Sequence, residues 1–286
     1  MPCPRLVQFH EHWAATATPL PPRGFSLSYD TNIPRQAGLS GSSAIVTAAL
    51  SCLEAYFGAA FALPRETRPA LVLAAEAALG ITAGLQDRVV QTYEGVVYMD
   101  FEAEGMKTRG HGAYTPLDPD LLPPLWCVLC SFGVDVLLVV GAKSRVVVAN
   151  RLVWCDNPGD SGAVHSTVRA RWDAGDETTR QLMTQVAALA PAGRAALEAR
   201  DYEALAALMD ANFELRRGLF GDAALGDRNV AMVRTAQRCG AGAKFCGSGG
   251  AAVACCPAGP EQEARLARDC EAAGLRCERV RVHRPE

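Results

Sequence analysis

A glycine- and serine-rich turn that runs directly into a helical pattern constrains this chain more than any other feature of its sequence. The turn, here called the serine loop, spans residues 34–44 and reads PRQAGLSGSSA. Apolar residues then recur at helical spacing, at Ile45, Val46, Ala49, Leu50 and Leu53. Glycines let backbone N–H groups converge on one point, and the helix adds the positive end of its dipole. The loop therefore predicts an anion site, with phosphate as the obvious ligand and a plain capping turn as the alternative.

Two better-known phosphate-binding patterns are absent from the sequence. No GxxxxGKS/T marks a P-loop, and no GxGxxG opens a helix for a dinucleotide. The 28 basic and 31 acidic residues leave a formal net charge of -3, which is too weak to hold a polyanion, so nucleic acid is not expected as a partner. The five histidines form no HExxH motif, which argues against metal catalysis through imidazole. A small or uncharged ligand fits this composition better.

The hydrophobic pattern alternates between strand and helix along the chain. Strand-like alternation marks residues 25–29 and 95–101, with helical patterns between them. The second half reads as three helices, then strand, helix and strand, at residues 177–200, 201–217, 227–239, 251–255, 260–274 and 275–282. This order predicts an α+β or α/β protein of two lobes, divided into domains 1–113 and 114–286.

Residues 125–142 are almost wholly apolar and are the one candidate for a membrane span. Asp135 lies near the centre of this run, and Gly133 and Gly141 interrupt it. A membrane-spanning helix needs about 20 apolar residues with few or no charges. The pattern therefore favours buried strands and no membrane partner.

The chain has eleven cysteines, an odd count, and its first twenty residues lack the apolar run of a secretory signal. Free thiols in a reducing cytosol, and hence a cytoplasmic protein, are the expectation. Cys127 and Cys130 form one CxxC, but no second pair lies at zinc-finger spacing. The later cysteines are scattered among apolar residues, so we expect packing thiols there rather than a metal site.

At the serine loop the sequence resembles a known family. Residues 34–44 are similar to the second motif of the GHMP sugar and metabolite kinases, roughly P-x-x-x-G-L-x-S-S-A, with Gly41 lengthening the turn. Residues 84–88, GLQDR, resemble the catalytic-aspartate segment of that family, and residues 244–251, KFCGSGGA, resemble its third motif. The resemblance implies an α+β, two-lobed GHMP kinase fold, with a ribosomal-protein-S5-like N-terminal lobe and a ferredoxin-like C-terminal lobe.

The same resemblance implies ATP and Mg²⁺ as cofactors. The ATP phosphates would contact the serine loop and the C-terminal glycine motif, at Pro34, Gly38, Leu39, Ser40, Gly41, Ser42, Ser43, Ala44, Gly247, Ser248 and Gly249. Glu76 stands eleven residues before Asp87, a spacing found in family members where a glutamate completes the metal site. Ser43, and after it Ser42, would offer Mg²⁺ a hydroxyl, and Asp87 would accept or orient the proton of the attacking hydroxyl.

Longer stretches resemble the plant-type glucuronokinases within that family, among them SLSYDTNIPRQAGLSGSSAIVTAAL and DNPGDSGAVHSTVRARW. This implies ATP-dependent phosphorylation of a small-molecule substrate, D-glucuronate, at its anomeric hydroxyl. Arg35 and Arg88 are hypotheses for substrate recognition, because a planar guanidinium suits a carboxylate. Two alternatives stay open: a kinase for another sugar such as galactose or arabinose, and an inactive nucleotide- or sugar-binding remnant.

The sequence departs from that family in two places. Strands that precede the serine loop in the family are missing, so we expect an incomplete first lobe with an open sheet edge. Residues 127–151 are extra and interrupt a strand, where insertions are rarely tolerated. We interpret this segment as an atypical insertion, which is either a translated intron or a functional hairpin.

Overall fold

A computed structural model describes residues 9, 11–13, 20–31, 33, 39–81, 83–130, 134–136, 150–152, 161–247 and 249–284. The first part of this structure is mainly helical and contains α1 (Gly41–Phe57), α2 (Arg68–Ala77) and α3 (Gln86–Tyr93). The first two of these helices pack through a small apolar core formed by Phe9, Val46, Leu50, Leu53, Leu63, Val72 and Ala75. Three of these core residues lie on the apolar stripe that the sequence predicts for α1.

A strand pair follows the helices. It consists of β1 (Val96–Asp100) and β2 (Ala113–Leu117), which pair antiparallel and are joined by α4 (Ala103–Arg109). The predicted boundary between residues 113 and 114 falls inside β2, so a division at that point would cut through the strand pair.

The strand predicted at residues 25–29 is wrong. This segment has no strand structure, and its side chains Phe25, Leu27 and Tyr29 are exposed. A strand needs a neighbour that satisfies its backbone N–H and C=O groups, and none of the described strands lies beside this segment.

The apolar run of residues 125–142 supplies strands, as predicted, wherever the structure describes it. Its first strand is β3 (Leu125–Cys130), and β4 (Val134–Val136) pairs separately with β5 (Asn150–Leu152). Residues 127–130 belong to the segment that is extra relative to the family that the sequence resembles. In the structure they lie in a central strand of the main sheet. Residues 131–133 and 137–149 lie outside the described part of the chain.

The C-terminal half begins with helices. These are α5 (Ser161–Asp173), α6 (Glu177–Glu198), α7 (Tyr202–Phe220), α8 (Asp222–Leu225) and α9 (Asp227–Arg238). Asp201 caps α7 as its sequence suggests, because its carboxylate accepts a hydrogen bond from the Ala204 N–H at 2.9 Å. Among the described helices, none has the length and apolar character needed to cross a membrane.

The main sheet is completed by β6 (Gly242–Phe245), β7 (Ala251–Cys255) and β8 (Leu275–Arg279), with α10 (Pro260–Ala272) between the last two strands. The strand order is β6-β7-β3-β8, and every neighbouring pair is antiparallel. One face of this sheet packs on the helices through a large apolar core that includes Val128, Phe213, Met232, Val233, Ala243, Phe245, Ala252, Ala254 and Leu266. Cys239, Cys256 and Cys270 pack in the same core, as the sequence predicts for cysteines scattered among apolar residues.

The opposite face of the sheet meets the serine loop. Leu129 of β3 and Ala251 of β7 are buried there, and Leu39 packs against both. This contact places the serine loop against β7, the strand that follows the glycine-rich motif of residues 244–251.

Candidate active site

The start of α1 is held in an unusual backbone conformation. Ser40 precedes the helix with φ 57° and ψ 38°, in the left-handed region that costs a non-glycine residue about 1–2 kcal/mol. Its carbonyl oxygen accepts three hydrogen bonds, from the Ser43 hydroxyl at 2.9 Å, the Gln91 side-chain amide at 3.1 Å and the Ala44 N–H at 3.1 Å. These bonds fix the turn that precedes the first N–H groups of α1. Gln91 has no local signal in the sequence, because it reaches the loop from α3.

The serine that meets an acidic side chain is Ser42. Its hydroxyl donates to Glu76 Oε1 at 2.6 Å, whereas Ser43 is fully buried and turned back on the Ser40 carbonyl. Successive helical residues point about 100° apart, so only one of the two serines can face α2. The geometry therefore favours Ser42 over Ser43 as a metal-facing hydroxyl. The family resemblance implies the reverse, with Ser43 ahead of Ser42.

Glu76 forms a buried ion pair with Arg88. The carboxylate is 0% and the guanidinium 3% exposed. Arg88 Nε donates to Glu76 Oε2 at 2.7 Å, Nη2 donates to the same oxygen, and Nη1 donates to the Gly84 carbonyl at 2.9 Å. Arg88 is predicted above to bind a substrate carboxylate, but in this structure its donors are turned to Glu76 and to the turn before α3.

Asp87 lies beside this pair and is accessible. Its side chain is 50% exposed, and its Oδ2 is 3.5 Å from Arg88 Nη1. Asp87 stands in the first turn of α3, where the helix dipole favours a negative charge. Ser42, Glu76, Arg88 and Asp87 thus form one continuous chain of contacts that runs from the start of α1 to the start of α3.

The second glycine motif forms a tight connection between β6 and β7, here called the glycine turn, residues 246–251. The Cys246 N–H donates to the Ala251 carbonyl at 3.0 Å and closes the turn, and Gly249 and Gly250 have φ values of 143° and 84° that require glycine. Buried Asn229 of α9 fixes the turn by accepting the Gly250 N–H at 2.9 Å. Asn229 is another positioning residue, and no motif in the sequence indicates it.

The structure packs the two glycine-rich motifs together, since Leu39 of the serine loop packs against the buried pair of Leu129 and Ala251, and this junction is here called the cleft. Four of the predicted contact residues, Pro34, Arg35, Gly38 and Ser248, lie outside the described residues. The predicted roles of these four residues stay predictions.

One wall of the cleft carries Lys244, Cys246 and Cys127. Lys244 and Cys127 both pair with Val253, one from each side, so their side chains stand on the same face of the sheet. A hydrogen bond from Cys127 and the positive charge of Lys244 lower the pKa of Cys246, although partial desolvation opposes this shift. Hydrogen bonding to Cys246 and burial raise the pKa of Cys127.

The chain matches a known family model over the part that contains α1, α2 and α3. Residues 6–95 match the GHMP kinases N terminal domain. Two long sequence matches extend this similarity to most of the chain.

The two long sequence matches are to proteins of Arabidopsis thaliana. The chain is 48% identical over 258 residues to Glucuronokinase 1 of Arabidopsis thaliana, which covers 90% of this chain and 64% of that protein. It is 49% identical over 261 residues to Probable glucuronokinase 2 of the same plant, which covers 91% of this chain and 64% of the relative. The chain therefore spans a little under two thirds of the length of these relatives.

Solved structures agree on the fold. A mevalonate kinase of Methanococcus jannaschii superposes with a TM-score of 0.63 at 15% identity, over 98% of this chain and 75% of that one. Lactococcus lactis galactokinase complexed with galactose superposes with a TM-score of 0.57 at 16% identity, over 87% of this chain and 67% of the other. The α+β GHMP kinase fold expected from the motifs is confirmed.

Proposed function

We propose that this chain carries the phosphotransfer site of an ATP-dependent sugar kinase that acts on D-glucuronate at the anomeric hydroxyl. The observation that carries the proposal is the chain of contacts through Ser42, Glu76, Arg88 and Asp87, which links a helix N-terminus to an exposed carboxylate. Similarity to two Arabidopsis glucuronokinases supports the choice of sugar. The eight cysteines whose side chains the structure describes are free thiols, which supports a place in the reducing cytoplasm.

The residues present fit Mg·ATP. Ser42 Oγ and Glu76 Oε1 are 2.6 Å apart, close to the roughly 3 Å that separates adjacent oxygens around Mg²⁺. Among the described residues no three His, Cys, Asp or Glu side chains gather as a metal-holding group, and Mg²⁺ in kinases needs only one or two carboxylates beside the phosphates. Ser42 and Glu76 would hold the ion, which would supply positive charge against the phosphates.

Each residue of the site then has a separate task. The N–H groups at the start of α1 would bind the phosphates, and Asp87 would orient or accept the proton of the attacking hydroxyl. An anomeric hydroxyl is more acidic than an ordinary alcohol, so a carboxylate suffices to activate it. Arg88 positions Glu76 and does not itself touch substrate. The glycine turn, held by Asn229, borders the cleft from the other lobe.

A coupled assay of ADP release on the purified chain tests the proposal. We expect turnover with glucuronate above that with glucose, galactose or arabinose. Higher turnover with galactose or arabinose would assign another sugar. ATP binding without sugar-dependent ADP release would identify an inactive remnant.

Two neighbouring serines offer a matched pair of substitutions. Ser42→Ala should raise the Mg²⁺ concentration needed for half-maximal ADP release about tenfold, because it removes the hydroxyl at Glu76. Ser43→Ala should lower the free energy of unfolding by about 1 kcal/mol, because it removes a buried hydrogen bond to the Ser40 carbonyl, and it should leave the Mg²⁺ dependence unchanged. Mg²⁺ titration and thermal denaturation of both variants distinguish the roles. If only Ser43→Ala shifted the Mg²⁺ dependence, this assignment would be wrong, and Ser43 would be the metal-facing serine, as the family resemblance implies.

A further inference from the structure

Arg216 of α7 carries a positive charge that no described residue neutralises. Its Nε atom is buried without a hydrogen-bond partner, and no described carboxylate lies within ion-pair distance of its guanidinium. Burial lowers the pKa of Arg216. The guanidinium carbon lies 5.5 Å from the ring centre of Phe220 and 6.0 Å from that of Phe245. Cation–π contacts of this kind recover about 0.5–2 kcal/mol, so they offset only part of the cost of taking a charge out of water.

The arginines near Arg216 form ion pairs with carboxylates, so Arg216 differs from its neighbours. Arg217, the next residue, contacts Asp222 at 2.5 Å and Glu214 at 3.1 Å, and Arg234 contacts Glu214 at 2.7 Å. The acidic side chains of this region therefore serve other arginines. The chain offers Arg217 as a matched control on the same helix.

A second cation lies close to Arg216. Lys244 Nζ donates to the Phe245 carbonyl at 2.8 Å, and no described carboxylate forms an ion pair with it. Desolvation lowers the pKa of Lys244, and the charge of Arg216 lowers it further, against the opposing effect of Cys246. Two neighbouring cations in a partly desolvated place repel each other unless an anion joins them.

One more unsatisfied group lies on the same side of α7. The Oδ1 atom of Asn212, one turn before Arg216, is buried and has no hydrogen-bond partner. Residues four apart share a helix face. Arg216 and Asn212 therefore place a buried donor and a buried acceptor, neither with a described hydrogen-bond partner, on one side of α7.

The path of α7 along the sheet shows where Arg216 lies. Three contacts join α7 to β6. Ala206 of α7 lies so close to Gly242 of β6 that a side chain there would meet its carbonyl oxygen, and Asp210 Oδ1 accepts the Ala243 N–H at 2.9 Å. Further along both elements, the rings of Phe213 and Phe245 are 5.4 Å apart. The helix therefore runs alongside β6 in the same direction. Seven helical residues and three strand residues both advance about 10 Å, so the two elements stay level.

One turn after Phe213, Arg216 is level with the start of the glycine turn, where β6 ends. Lys244 is two residues before that turn and stands on the face of the sheet that meets the serine loop. Both cations therefore lie at Phe245, where β6 ends beside the glycine turn.

We propose that Arg216 and Lys244 bind the carboxylate of the sugar acid, with the Asn212 amide accepting a hydrogen bond from a sugar hydroxyl. The assignment rests on the proposed function and names how that site selects an acidic sugar. A planar guanidinium binds a carboxylate through two parallel hydrogen bonds, and the lysine adds a second charge. Arg88 cannot take this role while its donors hold Glu76 and the Gly84 carbonyl.

Calorimetric titration of the purified chain with glucuronate, glucose and ATP tests the proposal without relying on turnover. Arg216→Gln and Lys244→Gln should each weaken glucuronate binding about 10- to 100-fold and leave glucose and ATP binding within twofold. Arg216→Lys should recover part of the lost affinity. Arg217→Gln, the control, should bind glucuronate like the unaltered chain. Thermal denaturation of each variant establishes that it is folded.

Several results would overturn the assignment. Unchanged glucuronate affinity in both Arg216→Gln and Lys244→Gln would show that the carboxylate binds elsewhere. A loss of ATP affinity in these variants, with glucuronate affinity kept, would assign the cations to the nucleotide phosphates. If the unaltered chain neither binds nor phosphorylates glucuronate, the proposed function itself is wrong, and the assignment of the carboxylate falls with it.

Discussion

Replacing Asp87 by Asn is expected to lower kcat with glucuronate by about 10²- to 10⁴-fold, the usual contribution of a general base. The amide keeps the size of the side chain but cannot accept the proton of the attacking hydroxyl. The side chain is half exposed, and its described ion-pair contact is a long one to Arg88 at 3.5 Å, so the fold should tolerate the change. The KM for ATP should stay within about twofold, because Asp87 acts on the acceptor.

A matched control separates this effect from a general loss of negative charge. Glu261 is an exposed acid in the first turn of α10, at a helix start like that of Asp87. Glu261→Gln should leave kcat unchanged. Steady-state kinetics of both variants, with circular dichroism to verify folding, make the comparison. If Asp87→Asn kept full turnover, Asp87 would be no more than a surface acid at the end of a helix.

The sequence predicts the local parts of this site well because each depends on few neighbouring residues. A run of glycine and serine before a helical pattern is enough to place the start of α1, and Asp201 is enough to place that of α7. The order of the three motifs implies the fold, which superposition on solved kinases confirms. These features need no knowledge of how the elements pack.

The features that the sequence does not predict are those that packing decides. Which of two adjacent serines faces Glu76 depends on the rotation of α1 against α2, and the partner of Arg88 depends on how α3 lies beside α2. Asn229 reaches the glycine turn from a separate helix. The strand expected at residues 25–29 fails for the same reason, since a strand exists only through its neighbours.

Replacing Arg88 by Met should be the most destabilising single change at the site. It would leave the Glu76 carboxylate, which is 0% exposed, without its counter-charge. Removing one partner of a buried ion pair costs about 3–5 kcal/mol, which would lower the melting temperature of a chain of this size by about 6–20 °C. Arg169→Met is the control, because the exposed Arg169–Asp173 pair should contribute less than about 1 kcal/mol.

The double variant Arg88→Met with Glu76→Gln separates stability from function. Removing both charges takes away the buried unpaired carboxylate, so the melting temperature should recover most of the loss. Turnover should not recover, because the side chain that would hold Mg²⁺ is no longer charged. Thermal denaturation and ADP release on the single and double variants measure the two effects. A double variant that regained turnover along with stability would show that Glu76 serves only the fold, and the metal site would then have to be sought among other side chains.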